Sequence, residues 1–247
     1  MPGKVAFITG AARGLGREIA LTLAASGHRL YLVDILAEPL AATAEELRAA
    51  GHEVIAREAD ISGRQSCFDA VADCVDRFGE LAVLVNCAAI MRMEHFTDTT
   101  EDAWNRILAV NLSGPFFLSQ AALPHIIAAR GNIVNVASSN GLMGTAYTGP
   151  YSATKAALIS LTKTLAVEYV EEPIRVNAVC PGPMATGIAS GAMPPPTIRH
   201  DKVVRYSGQR GLGIVEDVAK VVAFLASDAA AGVHGAVWTA DLGTSAG

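Results

Sequence analysis

Short apolar runs alternate with helix-length amphipathic stretches along the chain, and this alternation constrains the fold more than any other feature. VAFITG (Val5 to Gly10) reads as a buried strand ending in a glycine turn. REIALTLAASG (Arg17 to Gly27) then shows helical periodicity, with Gly27 as its stop. RLYLVD (Arg29 to Asp34) predicts a second strand, followed by a helix over Pro39 to Ala50, a strand over Glu53 to Glu58, a helix over Arg64 to Phe78 and a strand over Leu81 to Asn86. The second half predicts helices over Glu101 to Val110 and Pro115 to Ala129, then a strand over Asn132 to Ala137. A helix carrying Tyr151, a strand over Ile174 to Val179, a helix over Val215 to Ala226 and a strand over Ala236 to Ala240 complete it. Strands that alternate with helices at this spacing join by right-handed crossovers into a parallel sheet covered on both faces, a doubly wound α/β architecture.

No linker or change in composition divides the 247 residues, so one domain spanning 1–247 is expected. The exception is a segment rich in Pro and Gly, Pro181 to Leu212, which is too long for a plain connection. Its body, at about 183–212, is expected to form a substrate lid, because it follows a strand end where open α/β sheets bind ligands.

The net charge of -5 with no basic stripe argues against a nucleic-acid partner. No apolar stretch reaches the eighteen or so residues of a membrane helix, so no membrane partner is expected. The first strand begins almost at Met1, leaving no room for a signal peptide. Cys67, Cys74, Cys87 and Cys180 form no CxxC pair and read as buried reduced thiols, which suits a cytoplasmic location. The six histidines lack metal-ligand spacing, and no metal is expected.

Two stretches carry chemistry. TGAARGLG (Thr9 to Gly16) lies between the first strand and first helix, where bare amides can receive a pyrophosphate. Gly10, Gly14 and Gly16 allow positive φ and close approach, although the spacing is GxxxGxG rather than GxGxxG. Asp34, at the end of the second strand, can accept hydrogen bonds from an adenosine ribose and would repel a 2′-phosphate, which favours NAD. Arg13 pulls toward NADP, since a guanidinium could meet that phosphate. The second stretch, SSNGLMGTAYTGPYSATK (Ser138 to Lys155), places Tyr151 and Lys155 four residues apart on one helix face. An ammonium beside the phenol should lower its pKa toward the operating range.

In this order and spacing the pieces resemble the short-chain dehydrogenase/reductase family over nearly the whole chain, which implies a Rossmann fold. TGAARGLG matches the family's glycine motif, Tyr151 and Lys155 its YxxxK, and Ser138 its serine thirteen residues earlier. Asn111 matches its helix Asn, Asp60 its Asp after the third strand, and Pro181 and Gly182 its Pro-Gly turn. Thr186 falls where the family places a hydroxyl on the nicotinamide carboxamide. The resemblance further implies cofactor contacts from Leu15, Ile35, Ile61, Asn86, Ala88 and Met184. It departs at NCAA, where Cys87 and Ala89 replace Asn and Gly of NNAG, and at Asp241-Leu242-Gly243 in place of DGG. Ala89 fits if its φ is negative.

By this resemblance Tyr151 is the general acid/base for alcohol and ketone interconversion with NAD. Lys155 lowers its pKa and holds the nicotinamide ribose, Ser138 binds the substrate oxygen, and Asn111 secures a water that relays protons to Lys155. Ser139 is the alternative to Ser138. His95 reads as a surface residue, and Met143, Met184 and Met193 suit either packing or an adaptable apolar pocket. The apolar lid sequence favours a moderately hydrophobic alcohol, with sugars and polyols left open. The rivals are an NADPH-dependent 3-oxoacyl-thioester reductase, a non-catalytic NAD-binding regulator, and an isomerase or dehydratase using the same phenol. Helices apolar on more than one face, with the family's habit, predict a homotetramer.

Overall fold

The computed structural model describes residues 3–185, 188, 195–204 and 210–246. Seven parallel strands form one sheet: β1 (Val5–Thr9), β2 (Arg29–Asp34), β3 (Val54–Glu58), β4 (Val83–Asn86), β5 (Asn132–Val136), β6 (Arg175–Pro181) and β7 (Val237–Ala240). Their spatial order is β3-β2-β1-β4-β5-β6-β7, and every pairing is parallel. The chain first moves outward from β1 to β3, then returns to start again at β4. That reversal between β1 and β4 is the point where doubly wound sheets open a crevice at their carboxyl ends.

The strands read as unbroken apolar runs because both faces are covered. Along β1 and β2, Ala6, Ile8, Leu30 and Leu32 face one layer, while Val5, Phe7, Tyr31 and Val33 face the other. The first layer is α1 (Gly14–Ala25), α2 (Ala37–Ala49) and α8 (Val215–Ala226). The second is α3 (Arg64–Phe78), α5 (Gly114–Ala128) and α6 (Gly149–Glu168). Each fully buried Leu, Ile or Phe in these layers contributes roughly 1.5–3 kcal/mol.

The expected elements all form, α3 and α8 with the predicted bounds. One difference bears on the site. The two helices expected over Glu101 to Val110 and Pro115 to Ala129 are a single run, α4 (Glu101–Leu108) continuing into α5 through a π-helical turn at Ala109–Ser113. The predicted break between Val110 and Pro115 fails because a π-helical turn carries the run across it, and Pro115, which has no N–H to donate, follows that turn. This joined helix, Glu101–Ala128, is also long and apolar enough to span a membrane by length and composition, against the sequence expectation. Half of its most apolar stretch is buried inside the protein, in the layer that covers β4 and α3, as a core helix would be.

The segment after β6 leaves the sheet and comes back. Gly213 N–H donates to Pro183 O at 2.9 Å and Met184 bridges to Gly213, so the base of the excursion is closed. Its described middle holds a short helix, α7 (His200–Val204).

Candidate active site

The carboxyl ends of the strands border one cleft of about 470 Å³. At one end is the glycine turn. Gly10 has φ +72°, and a Cβ there would stand 2.8 Å from the Ala88 Cα. A Cβ on Gly16 would stand 2.1 Å from Gly10 O. No side chain fits either position, so the first turn of α1 lies against the turn with its amides uncovered. The residue before α1, Arg13, makes no side-chain cap, and the first turn holds no acidic residue. Unmet N–H groups and the positive helix end together suit a pyrophosphate. Thr9 fixes this geometry: its hydroxyl accepts from the Cys87 and Ala88 amides, both at 3.0 Å. The sequence reading had no role for Thr9, because a strand-end threonine carries no pattern until its partner strand is known.

Asp34 lines the same end. Its two carboxylate oxygens accept from the Ala12 and Leu36 amides at 3.0 Å each, which ties β2 to the glycine turn. An ionised carboxylate still has lone pairs left for ribose hydroxyls. Arg13, Gly14, Leu15, Ile35, Ile61 and Ala88 also line the cleft, and Arg13 is exposed without an ion pair among the described residues. Asp60 lines it too, held by the Arg106 guanidinium at 2.9 Å and the Ser62 amide at 2.9 Å. Hydrogen bonds from Ser62 and Arg106 outweigh its partial burial and hold this carboxyl below its ordinary range. Arg106, which the sequence did not single out, therefore borders the cleft as well.

At the other end are Ser138, Tyr151 and Lys155, all buried and all on the cleft wall. Ser138 follows β5 in extended backbone, while Tyr151 and Lys155 lie one turn apart on α6. Gly141 lets these two elements meet, since a Cβ there would stand 2.7 Å from the Lys155 carbonyl carbon. Ser139 is buried off the cleft, which leaves Ser138 as the hydroxyl that faces it.

The electrostatics differ from the sequence expectation. Burial pushes the Tyr151 phenol up to about 12, and a hydrogen bond with Ser138 only partly offsets it. Burial pulls Lys155 down to about 8. The ammonium nitrogen lies 5.7 Å from the phenol ring centre and donates to Val136 O at 2.7 Å. In this state desolvation penalises the charge on each partner, and the expected depression of the phenol by the lysine is absent.

Two expected site residues lie off the cleft. Asn86 points into the sheet, where its amide donates to Asn135 Oδ1 at 2.8 Å and Ser119 Oγ at 3.4 Å. Asn135 in turn donates to Thr162 on α6, so this buried chain fixes the strand ends, while Asn86 Oδ1 is buried without a partner among the described residues. Asn111, in the π turn, accepts from Ile90 N and donates to Ile90 O, both at 2.9 Å, and to Thr154 Oγ1 at 3.3 Å. Its amide is a clamp between the loop after β4 and the helix of Lys155, and both of its donors are already engaged. π turns frequently sit at functional sites, and here the turn directs an asparagine inward.

Pro181, Gly182 and Met184 line the cleft as expected, whereas Thr186 and Met193 lie outside the described residues. Met143 does not line it, but Met91 and Met93 do. Cys87 is a cleft residue rather than a buried core thiol, its pKa raised to about 12 by desolvation. Ala89 has no positive φ, so it replaces glycine without strain. His95 stays off the cleft and bonds Thr197 at 2.9 Å. Among the described residues no cluster could hold a metal ion.

A family model described as enoyl-(acyl carrier protein) reductase matches residues 10–245. The chain belongs to the short-chain dehydrogenase/reductase family. It is 35% identical to a 2,5-dichloro-2,5-cyclohexadiene-1,4-diol dehydrogenase of Sphingobium indicum, covering 100% of this chain and 98% of that one. It is 36% identical to a trans-4-hydroxycyclohexanecarboxylate dehydrogenase of Sinomonas cyclohexanicum, covering 99% and 93%. Among solved structures, a blue fluorescent protein from a metagenomic library in complex with NADPH superposes with a TM-score of 0.88 at 32% identity, covering 98% of each chain. Membership makes this chain an oxidoreductase of alcohols and ketones that uses a nicotinamide cofactor.

Proposed function

We propose that this short-chain dehydrogenase/reductase interconverts a neutral secondary alcohol and its ketone with NAD(H). One observation carries the reading: a single cleft joins a glycine cradle and Asp34 at one end to the buried Ser138, Tyr151 and Lys155 at the other. The cradle, the uncapped α1 terminus and Asp34 fit the pyrophosphate and ribose of a dinucleotide. Bound there, the nicotinamide supplies the hydride acceptor for oxidation or the donor for reduction. Ser138 holds the reacting oxygen. Tyr151 takes the hydroxyl proton in oxidation and returns it in reduction, and Lys155, one turn along α6, is placed to hold the nicotinamide ribose. Asn111 positions Lys155 by clamping Ile90 to Thr154. The two relatives named for ring alcohols support a cyclic alcohol as substrate.

Asp34 supports NAD, since its carboxylate would face a 2′-phosphate. The expected result is that NADH quenches the fluorescence of Trp104 and Trp238 with a Kd at least about tenfold below that of NADPH, and that Asp34→Ala narrows the gap. Tighter binding of NADPH to the unaltered protein would mean that Arg13 dominates and that the assignment is wrong. The description of the matching family model favours a second reading, reduction of an acyl thioester with NADPH. Turnover of acetoacetyl thioester above that of every alcohol would put it first.

A homotetramer is proposed on the exposed apolar residues of the outer helices: Phe116 on α5, and Val167 on α6 with Val170 just beyond it. Light scattering should give about four times the chain mass of 25.6 kDa. A monomeric mass would contradict it.

A further inference from the structure

With the pyrophosphate on the glycine cradle and the ribose at Asp34, the cleft beside Asp34 is left for the base of the dinucleotide. Ala59 N–H donates to Asp34 O at 3.0 Å, which brings the turn after β3 next to that carboxylate. Ile35, Ile61 and Val110 give the cleft apolar lining suited to an aromatic ring, and Asp60 and Arg106 border it as a charged pair.

The pair is built asymmetrically. Asp60 Oδ1 accepts from the Ser62 amide at 2.9 Å, inside its own turn. Asp60 Oδ2 accepts from Arg106 Nη1 at 2.9 Å, and the same nitrogen donates to Ser62 Oγ at 2.7 Å. One nitrogen from α4 thus holds both ends of a three-residue turn. The backbone of that turn is fixed without it: Cys67 Sγ donates to Ile61 O at 3.2 Å, and Gly114 packs so closely that a Cβ there would stand 2.8 Å from the same oxygen. Among the described residues no other group from outside the turn bonds the Asp60 carboxylate. Arg106 therefore fixes the direction of a side chain rather than the path of the chain.

Both side chains are half-exposed, and an ion pair so placed adds little to stability. Its geometry has a clearer use. An ionised carboxylate only accepts, and its two oxygens offer about four lone-pair sites, so sites remain free after Ser62 and Arg106 are served. A fixed acceptor beside an apolar slot favours a base that presents an N–H and disfavours one that presents a carbonyl oxygen.

We infer that Arg106 is a positioning residue for the base of the cofactor: it holds the Asp60 carboxylate so that a free lone pair meets the exocyclic amine of adenine. The inference rests on the dinucleotide reading of the cleft, and it holds for NAD and NADP alike because they share the base. Arg106 acts through Asp60, by direction, and not through its charge on the phosphates.

The test measures Kd by calorimetry for NADH and for its hypoxanthine analogue, in which a carbonyl oxygen replaces the amine. NADH should bind the unaltered protein about tenfold more tightly than the analogue, the scale of one hydrogen bond to a charged acceptor. Arg106→Met should bring that ratio to within threefold by weakening NADH alone. Arg106→Lys, whose single nitrogen can serve both partners as Nη1 does, should restore most of it. In a protein already carrying Asp60→Ala, Arg106→Met should change the Kd for NADH by less than twofold, since its route of action is gone. Equal weakening of NADH and the analogue in both Arg106 variants would overturn the inference, because a disturbed fold or a charge lost near the phosphates acts on the two ligands together. An undiminished ratio in Arg106→Met, or no preference for NADH in the unaltered protein, would overturn it as well. If the unaltered protein bound neither NADH nor NADPH, the dinucleotide reading would fall together with it.

Discussion

Replacing Tyr151 with Phe should lower turnover by roughly 10²- to 10⁴-fold, the range a positioned acid/base contributes, while leaving the fold and the Kd for NADH nearly unchanged. The ring is buried on α6 and its hydroxyl faces the cleft beside Ser138, so removing one oxygen disturbs no packing. The pH dependence should separate the two directions in the unaltered protein. With the phenol raised to about 12, Tyr151 carries its proton throughout the neutral and mildly alkaline range. Alcohol oxidation needs the phenolate and should therefore accelerate as pH rises, whereas ketone reduction needs the phenol and should not. Tyr151 and Lys155 titrate as neighbours, so the midpoint observed belongs to the pair. A Tyr151→Phe protein that keeps near-native rate, or oxidation that is flat across alkaline pH, would remove Tyr151 from the mechanism.

The fold was legible because parallel strands buried on both faces must be continuous apolar runs, and RLYLVD and VAFITG cannot be much else. The cofactor end was legible for a related reason: glycines at Gly10 and Gly16 are forced by backbone contacts under 3 Å. What stayed hidden depends on partners distant in sequence. Asn86 and Asn111 look like ligand contacts as residue types, yet Asn135 lies 49 residues from the first and Ile90 lies 21 from the second. No periodicity reports such pairings. The phenol's pKa is not legible either, because spacing gives the distance between two groups but not their burial, and here burial is the larger effect. The Leu242 departure shows a cost that sequence alone could only flag. Leu242 sits at φ +55° where glycine would be free, and Asp241 fixes the turn by accepting from Gly243 N at 3.0 Å and Ser245 N at 2.9 Å.

Lys155→Met should abolish most turnover and at the same time stabilise the ligand-free protein at neutral pH. The ammonium is 1% exposed, and burial lowers its pKa from 10.5 to about 8. A group whose folded pKa lies below its unfolded value is protonated at a cost. Below pH 8 that cost is present in full, roughly 3 kcal/mol at 1.36 kcal/mol per unit. Between pH 8 and 10.5 the unfolded chain holds the proton and the folded chain does not, so the unaltered protein gains stability with rising pH. The variant lacks this gain. Val136 O loses its donor in the variant, which returns about 1–2 kcal/mol of the benefit at every pH. Tyr151, raised to about 12, works in the opposite sense above pH 10 but does so in both proteins and cancels in their difference. Melting temperatures of the two proteins should therefore converge, then cross, as pH rises from 7 to 10. For a chain of this length each kcal/mol corresponds to roughly 2–4 °C. A difference that does not change with pH would mean that Lys155 titrates as an ordinary surface lysine. A buried ammonium retained at that cost is understandable only if the chemistry beside it needs the charge.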